Sequence, residues 1–250
     1  MPVKPPRFIQ INIIPVMAAF VFIIVGQNFI YGQNLTSQFY SHMDELNGMS
    51  YGKLMTTYWD WWINIPSAPG TAPGTSPFPI TECDIKDIGK VVFLVDALKV
   101  GHDVNYACQL DEGKSIFFPL LTSEYDKGIE GYENATDQEL ADLARQENAG
   151  DSYSLKIDNQ IIPIEFLKNL DTTSPFWNIS TNQTGNHYDA PLGNFRGVVF
   201  GTFVFLKPFD KGTHEIEITA SQTDKSSENA EVLVTNSVKI TYKINVMSPE

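Results

Sequence analysis

The middle of the chain carries two short runs of apolar residues, at positions 91–95 and 116–121. Both runs are too short for helices and are rich in β-branched and aromatic residues, which predicts strands that are buried on both faces. Pro119 lies inside the second run and cannot donate a ladder hydrogen bond, so it predicts a bulge, an edge or a strand end. Between the runs, residues 104–108 alternate apolar with polar, which predicts a half-exposed third strand.

The second half of the chain alternates apolar and polar residues with the period of two that is typical of half-buried antiparallel strands. Residues 153–157, 216–220 and 238–246 show this alternation, and residues 198–206 form a further apolar run. Strands of this kind, separated by turns, predict a mainly β fold. We expect an antiparallel β-sandwich of the jelly-roll or immunoglobulin-like type, accompanied by two or three short helices.

Two helices are predicted before the first strand. Residues 36–46 carry a short apolar face. Ser50 caps a longer helix that ends before Pro66. The apolar residues of this second helix recur at helical spacing: Tyr51, Leu54, Met55, Tyr58, Trp61, Trp62 and Ile65. Trp61 falls on this stripe and is expected in the core, whereas Trp59 lies beside it and is expected at the surface, where it would contact a ligand.

A third helix is predicted where Thr136 and Glu139 form a capping box. The acidic residues 122–135 before it contain several glycines, which predicts a long loop. Residues 171–194 are rich in Asn, Thr and Gly and predict a second long loop, with one short strand near Phe176.

The N-terminus has the layout of a secretory signal peptide. Lys4 and Arg7 precede an apolar run at residues 11–25, and small residues follow at Gly26 and Gly32, with cleavage expected near Gly32. The run is shorter than the ~20 apolar residues of a membrane-spanning helix. Removal of the signal would leave no membrane span, and the protein is predicted to be extracellular or attached to the cell surface. The alternative is an uncleaved anchor.

These patterns divide the chain into four predicted parts. They are a signal peptide or anchor at 1–32, a helical segment that packs on the sandwich at 33–66, a linker at 67–80 and the β-sandwich domain at 81–250. The linker is rich in Pro, Gly and Thr and repeats the tetrapeptide Ala-Pro-Gly-Thr.

The net charge of −13 restricts the classes of partner. It argues against nucleic acid, whose binding needs clustered cations, and it suits a protein that attracts cations. A divalent cation such as calcium is therefore the one cofactor class kept open, and no other cofactor is expected.

Export determines how the cysteines and the sequons are interpreted. In an oxidising compartment Cys83 and Cys108 are expected to form one disulfide. The alternative, two thiols in a metal or redox site, lacks the spacing C-x-x-C. Asn134, Asn178 and Asn182 each begin an N-x-S/T sequon and are candidate glycosylation sites.

Two histidine–carboxylate pairs are candidate metal ligands. His102 with Asp103, and His187 with Asp189, each offer the imidazole and carboxylate that zinc or copper binds. The alternative for both pairs is a polar loop. His214 precedes a glutamate, as in the zinc motif H-E-x-x-H, but position 218 is an isoleucine, so a zinc protease site is excluded there.

Glu124 follows the second apolar run and precedes Asp126, a further candidate binding residue. A carboxyl group at the end of a buried strand can be a general acid with a raised pKa. Paired with Asp96 or Asp111, it would form a glycosidase-like dyad. The alternatives are a carboxylate that caps a turn and a calcium ligand of irregular geometry.

The chain resembles an uncharacterised family of secreted prokaryotic β-rich proteins. The matching pieces are Trp59-x-Trp61-Trp62 before Pro66, the strand VVFLV, Cys108 followed by Gly113-Lys114-x-x-Phe117-Phe118-Pro119, Glu124, the helix start T-D-Q-E-L at Thr136, and Leu206-x-Pro208-x-x-x-Gly212-x-His214-x-Ile216. They span residues 51–220. The resemblance implies an exported β-rich domain and names no activity.

Two hypotheses of function result. The favoured one is an exported, non-catalytic protein that binds or scaffolds an unidentified extracellular ligand or surface partner, through Trp59, Glu124, Asp126, His187 and Asp189. The alternative is an exported, carbohydrate-directed hydrolase that uses Glu124 and a second carboxylate. A pocket that holds both carboxylates beside an exposed Trp59 would favour the hydrolase. Acids dispersed over a convex surface would favour binding.

Overall fold

The structure, a computed structural model, describes residues 36–46, 48–67, 86–95, 103–148, 151–223 and 234–249. The β framework lies in a compact unit that spans Gln38–Glu250. In its described part this unit is mainly β, with two large sheets, a two-stranded ribbon and three short helices. The predicted class, a β-sandwich with short helices, is confirmed.

The described elements are short in the N-terminal third of the chain and mostly longer after it. In chain order they are β1 (Glu45–Leu46), β2 (Met49–Ser50), α1 (Tyr51–Trp62), β3 (Lys86–Asp87), β4 (Val91–Phe93), β5 (Val104–Asp111), β6 (Ser115–Asp126), α2 (Asp137–Glu147), β7 (Ser152–Ile157), β8 (Gln160–Ile161), α3 (Ile164–Lys168), β9 (Asp171–Thr173), β10 (Trp177–Thr181), β11 (Gly193–Leu206), β12 (Gly212–Thr223) and β13 (Val234–Met247). The pair β1 and β2 forms the ribbon, directly before α1.

The two large sheets contain both antiparallel and parallel neighbours. The first has the order β10-β11-β6-β4-β3, with β9 also paired to β11, and the second has the order β5-β13-β12-β7-β8. Strand β4 runs parallel to β6, and β5 runs parallel to β13. The prediction of an antiparallel sandwich is therefore incomplete at these two pairings. Alternation along a strand shows which face is buried but not in which direction the neighbouring strand runs.

The three strands predicted between residues 91 and 121 are present as β4, β5 and β6. Strand β4 is buried throughout and β5 alternates, as expected. The register between β6 and β11 shifts where Leu121 and Pro119 face Thr202 and Phe203, so the proline marks a bulge. The sequence did not indicate that β5 belongs to the second sheet, while β4 and β6 belong to the first.

Helix α1 covers one face of the first sheet. Ser50 caps it by accepting the backbone N–H of Lys53 at 3.3 Å. The Tyr51 hydroxyl donates to the carbonyl oxygen of Phe203 at 2.6 Å, and the Tyr58 ring lies 5.9 Å from the Phe203 ring. Because this helix covers the outer face, β6 and β11 are apolar on both faces along most of their length.

Two predictions for the N-terminal region are wrong. Residues 36–46 do not form a helix, because Phe39 bridges to Leu206 and the Tyr40 N–H donates to the Phe205 carbonyl at 2.8 Å, along the end of β11. Trp59 is not a surface residue: it is 3% exposed, whereas Trp61 is only partly buried. The ring of Tyr188 packs against Trp59 and closes that side of α1.

The capping box at Thr136 is confirmed, and α2 begins there. Residues 171–194 contain β10, which agrees with the short strand predicted near Phe176. Two further strand segments were not predicted: residues 122–126 continue β6, and residues 171–173 form β9. There the polar composition suggested a loop, but pairing with β11 satisfies the backbone groups of these residues.

Candidate ligand-binding cleft

The bulge in β6 determines which side chains face α1. On β11, every second residue from Gly197 to Phe205 lies on the face that α1 covers. The partners of these residues on β6 lie on the same face. These partners are Phe117 and Pro119 before the bulge, and Thr122, Glu124 and Asp126 after it. Without the extra residue in β6, the carboxylates would lie on the opposite face from Phe117. The bulge thus turns the polar end of a core strand toward α1.

A cleft of about 760 Å³ opens at this end of β6. Its walls come from α1, the C-terminal end of α2 and the loops on either side. Four aromatic rings line it, those of Trp59, Tyr125, Tyr132 and Tyr188, together with five acidic residues, Glu124, Asp126, Glu130, Glu147 and Asp189. The lining residues, all of them described, include no lysine, arginine or histidine.

Glu124 and Asp126 form a carboxyl pair on one face of β6. Glu124 is half-buried as a residue, but its Oε1 is fully buried and receives no hydrogen bond from a donor in the described part of the chain. Burial raises the pKa of Glu124 well above its usual range, and the neighbouring Asp126 charge and a hydrogen bond to Asp126 raise it further. Glu124 therefore keeps its proton to a higher pH than an exposed glutamate does.

Asp126 also has a raised pKa, because it is only 5% exposed and burial disfavours its charged form. Backbone N–H groups of Gly128 and Ile129, and the interaction with Glu124, oppose that rise by stabilising the ionised form. The turn after β6 thus supplies hydrogen-bond donors to Asp126.

Gly197 provides the space for this pair. A Cβ at that position would lie 2.7 Å from the Asp126 Cβ, 3.0 Å from the Glu124 Oε1 and 2.5 Å from the Ile179 Cδ1. Gly197 is the cross-strand partner of Asp126 on β11. Any other residue there would displace the carboxyl groups from the floor of the cleft.

The wall on the α1 side is built from the tilted rings of Trp59 and Tyr188. The rings of Trp59 and Tyr188 lie 5.6 Å apart, and Trp62 fixes Tyr188 by donating its Nε1–H to the tyrosine hydroxyl at 3.0 Å. Trp59 is almost fully buried, and its own Nε1–H finds no acceptor among the described residues. A buried donor of this kind is costly unless a bound molecule accepts its hydrogen bond.

The opposite wall joins α2 to the loop after β6. The rings of Tyr125 and Tyr132 lie 5.6 Å apart, edge to face, and the Tyr125 hydroxyl donates to Glu147 at 3.3 Å. Burial and the Glu147 charge raise the pKa of Tyr125 to about 12. This tyrosine is therefore a neutral hydrogen-bonding group at physiological pH.

The loop that carries Tyr188 and Asp189 is held by Asn186. The buried Asn186 side chain accepts the N–H groups of Tyr188 and Ala190, each at 3.0 Å, and donates to the Ala190 carbonyl at 3.0 Å. Asp189 adopts a left-handed conformation, with φ at 53°, and lies at the rim of the cleft. The loop is thus shaped by its own polar contacts.

The described members of the two candidate metal pairs each have their own surroundings. His187 is buried and its Nδ1 contacts the Ile65 carbonyl oxygen at 3.0 Å, while Asp189 is at the cleft. Asp103 accepts the backbone N–H of Lys239 at 2.8 Å, and His102 lies outside the described residues. Within the described ranges there is no group of three or more potential metal ligands.

Among the described residues, the second carboxylate beside Glu124 is Asp126, and not Asp111, one of the two acids named for the glycosidase-like dyad. Asp111 ends β5 in the second sheet and does not line the cleft. Asp96 lies outside the described residues. The sequence contained the signal for the observed pair, because residues two apart in a strand share a face, but the strand had to extend to Asp126 for that rule to apply.

The remaining sequence predictions concern processing and export. Asn134, Asn178 and Asn182 are all exposed. Cys108 is buried in β5 and Cys83 lies outside the described residues, so the disulfide stays a prediction. The signal segment at 1–32 and nearly all of the 67–80 linker also lie outside. Of the helices in the described ranges, none has the length and apolar character needed to span a bilayer.

Comparison with known proteins gives no relative from which a role can be inferred. No family model matches the chain, and no curated protein matches it. The cysteine protease inhibitor EhICP2 from Entamoeba histolytica aligns over 62% of this chain and 96% of its own, at 13% identity and a TM-score of 0.23. PbICP-C, solved in complex with falcipain-2, aligns over 64% and 100%, at 13% identity and a TM-score of 0.22. TM-scores this low do not establish a shared fold.

Proposed function

We propose that this protein is an exported, non-catalytic binding protein whose cleft takes a positively charged ligand. The composition of the cleft carries this proposal: five acidic residues and four rings line it, without a cationic side chain among the residues described. Carboxylates attract a cation by Coulomb interaction, and aromatic faces attract it through their quadrupoles. Both attractions are stronger in a recess than on an open surface.

The hydrolase alternative has partial support in the cleft. Glycosidases flank the scissile bond with two carboxyl groups, about 5 Å apart in retaining enzymes and farther apart in inverting ones. The criterion stated for the hydrolase is half met, since the two acids share a cleft but Trp59 beside them is buried.

Export rests on the N-terminal sequence. In support of it, the three sequon asparagines are accessible to a glycosylating enzyme. Titration of the denatured, unreduced protein with a thiol reagent should find no free thiol, because Cys83 and Cys108 are expected to be bonded. Two free thiols per chain would contradict the predicted disulfide.

The binding proposal is tested with small organic cations. Spermine and arginine amide should quench or shift tryptophan fluorescence saturably, and the affinity should fall as salt is added. Asp126→Asn removes a carboxyl group that can carry a negative charge at the floor of the cleft, and it should abolish the fluorescence response. Glu112→Gln is the matched control, because this acid is exposed in the turn between β5 and β6 and does not line the cleft. Binding by neither cation, or equal binding by the Asp126 variant, would contradict the proposal.

A second candidate function is acid-catalysed hydrolysis, and the raised pKa of Glu124 beside Asp126 favours it. A protonated carboxyl beside an ionised one can act as a general acid. The test is a screen of glycan and ester substrates with the parent and the Glu124→Gln variant. An activity that falls by roughly 10²–10⁴-fold in the variant, at an unchanged melting temperature, would establish this function.

A further inference from the structure

The cleft lies at an open edge of the first sheet. All five residues 122–126 line it, although successive side chains in a strand point to opposite faces. A cleft can contact both sets of side chains only if it meets the strand from its edge. Most ligand pockets of sheet proteins lie over one face, so this arrangement calls for a specific kind of occupant.

One side of this part of β6 pairs with β11, and no strand in the described ranges pairs with the other side. On that other side β4 pairs only with residues 115–117 of β6, and the described ranges place no further strand beside residues 122–126. The Lys127 N–H donates to the Arg196 carbonyl oxygen at 3.1 Å. Because hydrogen-bonded and non-hydrogen-bonded pairs alternate, Thr122, Glu124 and Asp126 occupy the non-hydrogen-bonded positions toward β11. The backbone N–H and C=O groups of Thr122 and Glu124 therefore point into the cleft.

From this geometry we infer that the cleft binds an extended polypeptide segment carrying lysine or arginine, which adds to the free edge of β6 as a further strand. The inference rests on the proposed function for its preference for cations and goes beyond it in naming the form of the ligand. Edge addition satisfies the open backbone groups with backbone groups of the ligand.

The two walls match the two faces of such a strand. On one side lie Trp59, Tyr188 and Asp189, and on the other lie Tyr132 and Glu147. Side chains of the added strand would alternate between these walls, and each wall offers rings for an aliphatic stem and carboxylates for a charged head. A basic residue is thus accommodated on either face.

Besides Glu124 Oε1, two buried polar atoms lack hydrogen-bond partners in the described part of the cleft. They are the Nε1 of Trp59 and the Oγ1 of Thr122. An incoming backbone supplies both donors and acceptors, whereas a simple ammonium ion supplies only donors. The indole N–H needs an acceptor, so these atoms favour a peptide over a free cation of the same charge.

The test compares three ligands of matched charge. The first is an acetylated, amidated peptide of seven residues in which arginine alternates with threonine or valine. The second is the same peptide with every other backbone nitrogen methylated, and it is prepared in two phases, with the methyl groups on either the odd-numbered or the even-numbered nitrogens. The third is spermine. In one of the two phases the methyl groups block the N–H groups that face β6, so two or more backbone hydrogen bonds are lost. The affinity of that peptide, measured by calorimetry, should be about 10- to 100-fold lower than that of the parent peptide. Amide hydrogen exchange at Thr122 and Glu124 should slow only with the peptide that can pair.

The outcomes separate the inference from the proposed function. Equal affinity of both N-methylated phases and the parent peptide, or binding of spermine alone, would overturn strand addition while leaving a cation-binding cleft. Binding by none of the three would overturn both. Thr122→Pro gives a second test, made on the protein itself. It removes the backbone N–H of residue 122, which points to the open edge and makes no ladder hydrogen bond to β11. If its melting temperature is preserved, it should bind the peptide less tightly and spermine as before.

Discussion

Glu124 on β6 and Glu217 on β12 are both strand glutamates with little exposed surface, and their surroundings are opposite. Glu217 contacts Lys156 at 2.6 Å and Lys239 at 2.5 Å, and these two lysines hold its pKa below the usual range. Among the described residues, no lysine lines the cleft beside Glu124, and burial together with Asp126 raises its pKa. Glu217 is part of the framework. Glu124 is left available for a ligand.

The neighbours across the ladder explain this difference. Lys156 is the direct cross-strand partner of Glu217, so the ion pair forms between two strands of the second sheet. Glu124 faces Val199 directly, with Gly197 beside it. Glu217, which contributes to stability, thus has its counter-ion in the same sheet. A carboxyl group without one in a cleft is a candidate for binding or catalysis.

The largest effect is expected from removing the wall of the cleft. Trp59→Ala should lower the free energy of unfolding by about 3–5 kcal/mol, because a buried indole is lost. Trp61→Ala should cost less, since this side chain is partly exposed. Urea denaturation of both variants checks the order, which is the reverse of the one expected from the sequence. Equal midpoints would mean that the two tryptophans are equally buried.

A smaller loss is expected at the floor of the cleft. Gly197→Ala should lower the free energy of unfolding by about 1–3 kcal/mol, because the new methyl group overlaps Asp126 and Ile179. Adding Ile179→Val removes the atom closest to that methyl group and should restore part of the loss. An unchanged melting temperature in the single variant would show that the floor has room beside the carboxyl pair.

The two glutamates should respond to pH with opposite signs. The raised pKa of Glu124 means that the folded protein keeps a proton that the unfolded chain has lost, so stability falls as the pH rises from the ordinary glutamate range toward the folded pKa. Glu124→Gln should remove this fall and raise stability at neutral pH. Urea unfolding at several pH values between about 4 and 8 measures the slope. A slope unchanged by the substitution would contradict the burial of Glu124.

The smallest effect is expected at Glu217. Its lowered pKa gives the folded state an advantage that is present above the ordinary glutamate pKa and is lost as the pH falls through the folded pKa. Glu217→Gln should lower stability at neutral pH by at most about 1 kcal/mol, because exposed lysines are screened by water and salt. The same series of urea unfolding measurements, with 1 M salt added, should abolish the difference. A larger, salt-resistant loss would place Glu217 in the core.

Local chemistry by itself determined much of this fold. The capping box at Thr136, the helix start at Ser50 and the alternating strands β7, β12 and β13 were all predicted, because each depends on residues near one another in the sequence. The bulge at Pro119 belongs to the same group, since a missing N–H is a property of that one residue. The acidity of the protein was equally plain, and it agrees with the charge of the cleft.

Only the tertiary structure decided where these pieces meet. At about 100° per residue, Trp59 and Trp61 lie about 80° to either side of Tyr51, so the pattern of α1 could not choose between them. Trp59 is the more buried of the two because the loop with Tyr188 packs on its side of α1. In the same way, a one-residue bulge sets the face of Glu124 and Asp126, and β11 draws residues 122–126 into a strand. These outcomes depend on contacts between residues far apart in the chain, which local periodicity does not encode.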